Sequence, residues 1–310
     1  MGWGWGVGVG IQFGSTVDPE FPEQLLLEQY AAQLLSTLRA AFDPTAGPLL
    51  IIAGAKLAAL VVTSGVSGGD SVVVRRILKL ITKPLVGWEG LSEPSYAEWV
   101  GCKGRVELLT AHASIKCFAL GARGGRVAES LLPLVGQSEA LLTRCWVGLL
   151  RDFAVIRSQP MVVQALYRPF LLTGPSPAGS AMVRPYLDQV WAVVLEALVR
   201  GAKPKEGKEE GKGGGGGGGL EAWEFEQLWA LSLLVLCEKE QAEVPDGAST
   251  VGSFAWGAER EVADDSVRMS TEEEQVAALR ALHCLTAVSF CQAGWIPTHL
   301  CTELMQVGGA

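Results

Sequence analysis

The sequence is short of charge and short of residues that do chemistry. Charged residues are 19% of the chain, below the roughly 25% of an ordinary soluble domain. Cations are the scarcer sign: 25 Lys and Arg against 33 Asp and Glu leave a net charge of −8. That balance excludes a cationic sheath for nucleic-acid phosphates, so no nucleic-acid partner is expected. There are three histidines, His112, His283 and His299, far apart in sequence. The seven cysteines include no CxxC pair. His299 and Cys301 are near neighbours, but two residues do not make a metal site. No metal and no cofactor is expected. Cys117, Cys145, Cys237, Cys284 and Cys291 lie inside apolar periodic runs and read as buried free thiols in a reducing compartment.

Signals for targeting and phosphate binding are also missing. The opening residues have neither a positive n-region nor a continuous apolar h-region, and Gly6 stands where N-myristoylation needs Ser or Thr. The alternating glycines from Gly2 to Gly10 follow no strand, and Gly207-Lys208 lacks the spacing and hydroxyl of a P-loop. One stretch has the length of a membrane span, Leu49 to Val66. Lys56 sits at its middle, where a charge costs about 2.5–3.5 kcal/mol in a bilayer. A helix buried in a protein core is expected there, and no transmembrane span.

Apolar residues are abundant. Hydrophobic side chains are 49% of 310 residues and the mean hydropathy is +0.27, so a sizeable core can form. They recur at three- and four-residue steps, the stripe of a packed helix. Leu27, Ala31, Leu34 and Leu38 make a first stripe, stopped by Asp43-Pro44 and Gly47-Pro48. Leu49 to Val62 is a second helix, apolar on most sides. A third, capped by Asp70 or Ser71, is expected to reach Thr82 and stop before Pro84. Leu108, Ala111, Ile115 and Phe118 stripe a fourth. Leu142, Cys145, Leu149, Phe153 and Ile156 stripe a fifth, on which Trp146 and Phe153 share a buried face. Val190, Val194 and Leu198 precede a terminating Gly201. Leu228, Trp229, Leu233 and Leu236 follow. Leu279, Leu282, Thr286 and Phe290 come last, introduced by Ser270-Thr271 and three glutamates. Trp88, Trp99, Trp146, Trp191, Trp223 and Trp229 mostly keep this spacing and are expected in the core. No alternating run reads as a strand.

The fold class expected is all-α: an α-solenoid of degenerate HEAT/armadillo-type helix pairs, with a compact helical bundle as the competing architecture. Residues 1–20 read as a low-complexity leader and 21–202 as helical repeats. Residues 203–219, Lys, Glu and Gly in low complexity, read as a disordered linker. Residues 220–242 return to the array, 243–269 form an acidic loop, and 270–310 close with a C-terminal helical repeat.

Two patterns invite a functional reading. Gly65-Val66-Ser67-Gly68-Gly69 matches the G-x-S-x-G nucleophile elbow, in which flanking glycines permit a strained turn around the serine. A serine hydrolase using Ser67, with His283 or His299 as base and an acid such as Asp188, is one alternative. It lacks upstream strands and an oxyanion segment, and His283 falls where a core histidine is the ordinary reading. A Gly-rich turn between packed helices explains the motif, so no enzyme is expected. The other pattern is Arg75, Arg76, Lys79 and Lys83, a basic face on one helix. It is a candidate contact for an acidic peptide or a phospholipid, and otherwise a solvated face.

Six blocks in order carry a family resemblance: GVSGGDSVVVRRILKLI, VELLTAHASIKCFAL, LLTRCWVGLLRDFAV, VRPYLDQVWAVVLEALV, EFEQLWALSLLVLC and ALRALHCLTAV. Together with the placing of the two long insertions, they resemble the HEAT repeat-containing protein 5 family, including its plant Sweetie-type members, over roughly Gly47 to Gly294. The terminal segments depart from the family pattern. The resemblance implies a fragment of a larger α-solenoid, a non-enzymatic scaffold of vesicle-mediated transport. It further implies association with the clathrin adaptor machinery, in the cytosol and peripheral to the trans-Golgi network and endosomes. Endocytosis, endosome-to-Golgi retrograde transport and protein localisation are the implied roles, with membrane contact made through protein partners. It carries over no catalytic residue.

Overall fold

The computed structural model describes residues 29–43, 45–64, 71–86, 98–121, 126–159, 167–172, 179–205, 219–237 and 271–296. These form ten helices: α1 Ala31–Ala41, α2 Pro48–Thr63, α3 Ser71–Val86, α4 Glu98–Gly121, α5 Arg126–Gly136, α6 Glu139–Ser158, α7 Gly179–Val199, α8 Ala222–Cys237, α9 Thr271–Leu285 and α10 Val288–Gln292. Among the described residues there is no strand, only an isolated parallel bridge between Pro204 and Leu220.

The helices pack in two layers. One holds α1, α3, the α5–α6 pair and α8, each touching the next. The other holds α2, α4, α7 and α9 in the same serial order. Each member of the first layer also packs on the second: α1 on α2, α3 on α4, α6 on α7, α8 on α9. Serial stacking of this kind, with α1 and α3 starting about 40 residues apart, is that of an α-solenoid of HEAT type. One continuous core of buried Leu, Val, Ile, Ala and aromatic side chains runs through it.

The end of α7 and the start of α8 show why the chain turns where it does. α7 stops at Val199, and Gly201 takes a φ of +76°, a left-handed turn only glycine adopts without strain. At the start of α8 the Glu224 carboxylate accepts from the Glu221 N–H at 2.8 Å, the returning half of a capping box. In α6, Gly148 lets the Phe170 ring come in; a Cβ there would stand 2.7 Å from it.

Several expectations need correction. α3 does not stop before Pro84 but continues to Val86. Ile81 and Leu85 are both buried. Their burial, at about 1.5–3 kcal/mol each, offsets the roughly 3 kcal/mol cost of a helical proline. α2 is not buried all round: Leu49, Leu50 and Leu60 are 64%, 54% and 62% exposed. With Ala53 and half-buried Leu57 they lie on one side of the helix. α9 ends at Leu285, so Thr286 and Phe290 belong to a break and to α10, and Leu279 faces outward. Trp146, Trp191 and Trp229 are fully buried, whereas Trp99 and Trp223 are exposed. Of the cysteines read as buried, Cys117 and Cys145 are, Cys284 is half-buried, and Cys237 and Cys291 are exposed. Cys102 is buried as well. α5 has no counterpart in the apolar stripes picked out above.

Candidate interaction surface

Within the first layer, α1, α3 and α6 present cations. On α3, Arg75, Arg76, Lys79 and Lys83 are all exposed, and the helix contains no acid. Steps of four residues keep Arg75, Lys79 and Lys83 on one side. None of the four forms an ion pair with a described residue, although Lys83 lies near Asp43 and helps hold its carboxyl below the ordinary range, behind the hydrogen bonds from Thr45. α1 adds exposed Arg39 and no acid. α6 adds exposed Arg144 and Arg151. Its two acids are spoken for: Glu139 pairs with Lys116 of α4 at 3.0 Å, and Asp152 is fully buried. Sequence reasoning found the α3 face and missed Arg39, Arg144 and Arg151, because helices stacked in one layer bring together residues far apart in sequence.

The buried polar groups are structural. Asp152 accepts from the Tyr167 hydroxyl at 2.6 Å and from the backbone N–H groups of Phe170 and Leu171 at 2.9 and 3.0 Å. Burial raises its pKa, and these three donors oppose that rise. The Leu171 carbonyl in turn accepts from buried Arg105 of α4 at 2.6 Å. One carboxylate thus pins residues 167–172 against α6 while an arginine pins them to α4. His112 is buried on α4 with its ring 3.4 Å from the Thr82 hydroxyl, and burial lowers its pKa to about 4. The Cys117 and Cys145 thiols are pushed up to about 12 and about 11 by burial, which keeps them protonated and inert. Elsewhere, Arg157 of α6 grips Glu274 of α9 through its two terminal guanidinium nitrogens, at 2.8 and 3.4 Å.

The alternative nucleophile site fares as follows. Ser67, with residues 65–70, lies outside the described residues, as does His299. Asp188 of α7 stands 3.9 Å from Arg184. His283 is exposed on α9 instead of facing the core. Among the described residues no group of three or more His, Cys, Asp or Glu is arranged to hold a metal ion. No described helix is long and apolar enough to cross a membrane.

Fold and surface together define a helical-repeat scaffold, a stack of helix pairs with a continuous core and a long exposed layer. A family model of the Laa1/Sip1/HEATR5 HEAT repeat region matches residues 9–155. The chain is also similar to Protein SWEETIE of Arabidopsis thaliana, at 35% identity over 325 aligned residues, covering 99% of this chain and 14% of that protein. The chain is thus similar to the Laa1/Sip1/HEATR5 HEAT repeat family, and spans about a seventh of the length of this relative. No solved structure matches it.

Proposed function

We propose that the chain is a non-enzymatic protein-binding scaffold of intracellular membrane traffic. The roles proposed are endocytosis, endosome-to-Golgi retrograde transport and protein localisation, carried out in association with clathrin adaptors. It would work in the cytosol, at the trans-Golgi network and endosomes, reaching membranes through its partners. The observation that carries the scaffold reading is the serial two-layer stack, whose exposed first layer offers Arg75, Arg76, Lys79 and Lys83 as a partner-contact face. The trafficking role rests on the likeness to that family, and Ser67 is given no catalytic role.

The test is charge reversal of all four α3 cations in the full-length gene product, followed by adaptor co-precipitation and imaging of Golgi and endosomal markers. Loss of adaptor association with an unchanged melting temperature supports the reading. Undiminished association refutes the assigned face. Labelling of Ser67 by a fluorophosphonate probe, abolished by Ser67→Ala, refutes the non-enzymatic assignment.

A further inference from the structure

Between α6 and α8, on the same layer as the cationic face, runs a groove of about 340 Å³. Its floor is apolar: Val147, Leu150 and Ala154 from α6 face Leu228, Leu231 and Leu234 from α8. Ala154 and Ala230 leave the gap, since neither side chain reaches across it. The size is at the low end for a ligand pocket, enough for one or two apolar side chains. Arg151 and Gln227 form the rim. Arg144 is two helical turns before Arg151, on the same exposed side of α6 and about 10 Å along the axis.

Charge says what belongs there. The chain carries a net −8, yet every exposed charge on α1, α3 and α6 is positive. The exposed acid of α8, Glu226, does not line the groove, although it stands one helical turn before the wall residue Ala230. An apolar trough with Arg151 on its rim and no acid in its lining matches a segment with bulky apolar side chains and carboxylates beside them.

We infer that the α6–α8 groove seats the apolar side chains of an acidic protein segment, whose carboxylates meet Arg144 and Arg151. This deepens the scaffold reading and rests on it, because it names the chemistry of a partner for the first layer. The partner is a polypeptide and not a membrane: a groove this narrow takes side chains, whereas a lipid surface needs a broad flat face.

The experiment uses the full chain and a fluorescent synthetic peptide with Asp and Glu on one helical face and Leu and Phe on the other. Binding is read by anisotropy at low and high salt. Ala230→Trp fills the groove from an exposed wall position and leaves the core alone; it should weaken binding at least about tenfold, the cost of losing a seated anchor. Arg144→Glu, which touches no buried group, should weaken binding several-fold at low salt, and the difference should shrink at high salt. Arg184→Glu on α7, in the other layer, should change nothing. Replacing the peptide's Leu and Phe by Ala should abolish binding.

Equal affinity for the Asn/Gln version of the peptide overturns the proposal. So does binding of phosphatidylserine vesicles that Ala230→Trp also blocks. If Ala230→Trp leaves peptide binding intact while reversal of the α3 cations still abolishes adaptor association, the groove assignment falls and the scaffold reading stands.

Discussion

Asp152 is the residue on which the middle of the array turns. It is wholly buried and charged, a costly arrangement unless its oxygens are satisfied. Three donors satisfy them, so removing the carboxylate leaves two backbone N–H groups and a phenol without partners. Asp152→Ala should cost about 3–5 kcal/mol, the range for breaking a buried charged network. Tyr167→Phe removes one donor and should cost about 1–3 kcal/mol. Urea denaturation of both variants checks the ordering; Tyr167→Phe as damaging as Asp152→Ala would mean the backbone donors contribute little. His112 gives the pH dependence. Its folded pKa of about 4 lies below its ordinary 6.5. Between those values the unfolded chain binds a proton that the folded chain does not, so stability falls as pH drops through that window and is full above it. The loss should approach about 3 kcal/mol by pH 4. Asp152, whose pKa is raised, acts in the opposite sense and offsets part of it. Melting temperatures at pH 7 and pH 5 should differ less in His112→Asn than in the unaltered chain.

At the scale of elements, α6 shows what helical spacing can tell. Leu142, Cys145, Trp146, Leu149, Leu150, Phe153 and Ile156 are all buried, and the residues seven apart, Trp146 and Phe153, share the core as their spacing requires. Trp146 gives its indole N–H to the Leu109 carbonyl of α4 at 3.1 Å, and Phe153 stacks on Trp191 of α7 with centroids 5.0 Å apart. Trp146→Ala should therefore cost about 3–5 kcal/mol. Arg151→Ala, at an exposed position, should be nearly silent in the same thermal scan. Equal effects would mean the faces are wrongly assigned. What spacing could not tell is equally physical. Leu279 carries the same periodic signature as Leu282, yet α9 buries Ala278, Ala281, Leu282 and Leu285 instead. The stripe's phase is set by where α7 and α8 lie, which no local window contains. Residues 167–172 carry no periodicity at all, because Asp152 and Arg105 hold them from outside. The candidate contact face on α3 was legible because its charges are four apart; the groove was not, because its walls are some 80 residues apart in sequence.

For the whole molecule, two features extend beyond the stack. The first is the exposed apolar side of α2, where the second layer shows leucine to solvent. The second is the junction between α7 and α8. Residues 203–219 were expected to lack order throughout. Residues 206–218 lie outside the described residues, but both flanks are fixed. Lys205 N–H donates to the Leu220 carbonyl at 2.8 Å, Leu220 N–H donates to the Lys203 carbonyl at 2.9 Å, and Lys205 pairs with Glu221 at 2.6 Å. Gly219 has to be glycine here, since a Cβ would meet the Lys205 backbone at 2.9 Å. Replacing residues 206–218 by a brief Gly-Ser link should leave the melting temperature within a few degrees, because only loop closure changes. Loss of cooperative unfolding would show that the segment packs on the helices.

A bridge that closes the neck of an insertion makes everything beyond it a passenger. Two backbone hydrogen bonds tie Lys203 and Lys205 to Leu220, so cargo threaded between them should exert little leverage on either helix. A compact reporter with adjacent termini, spliced in after Lys205 and before Gly219, would leave the array in register. It would offer a handle for following this protein in cells that touches neither the α3 cations nor the groove between α6 and α8.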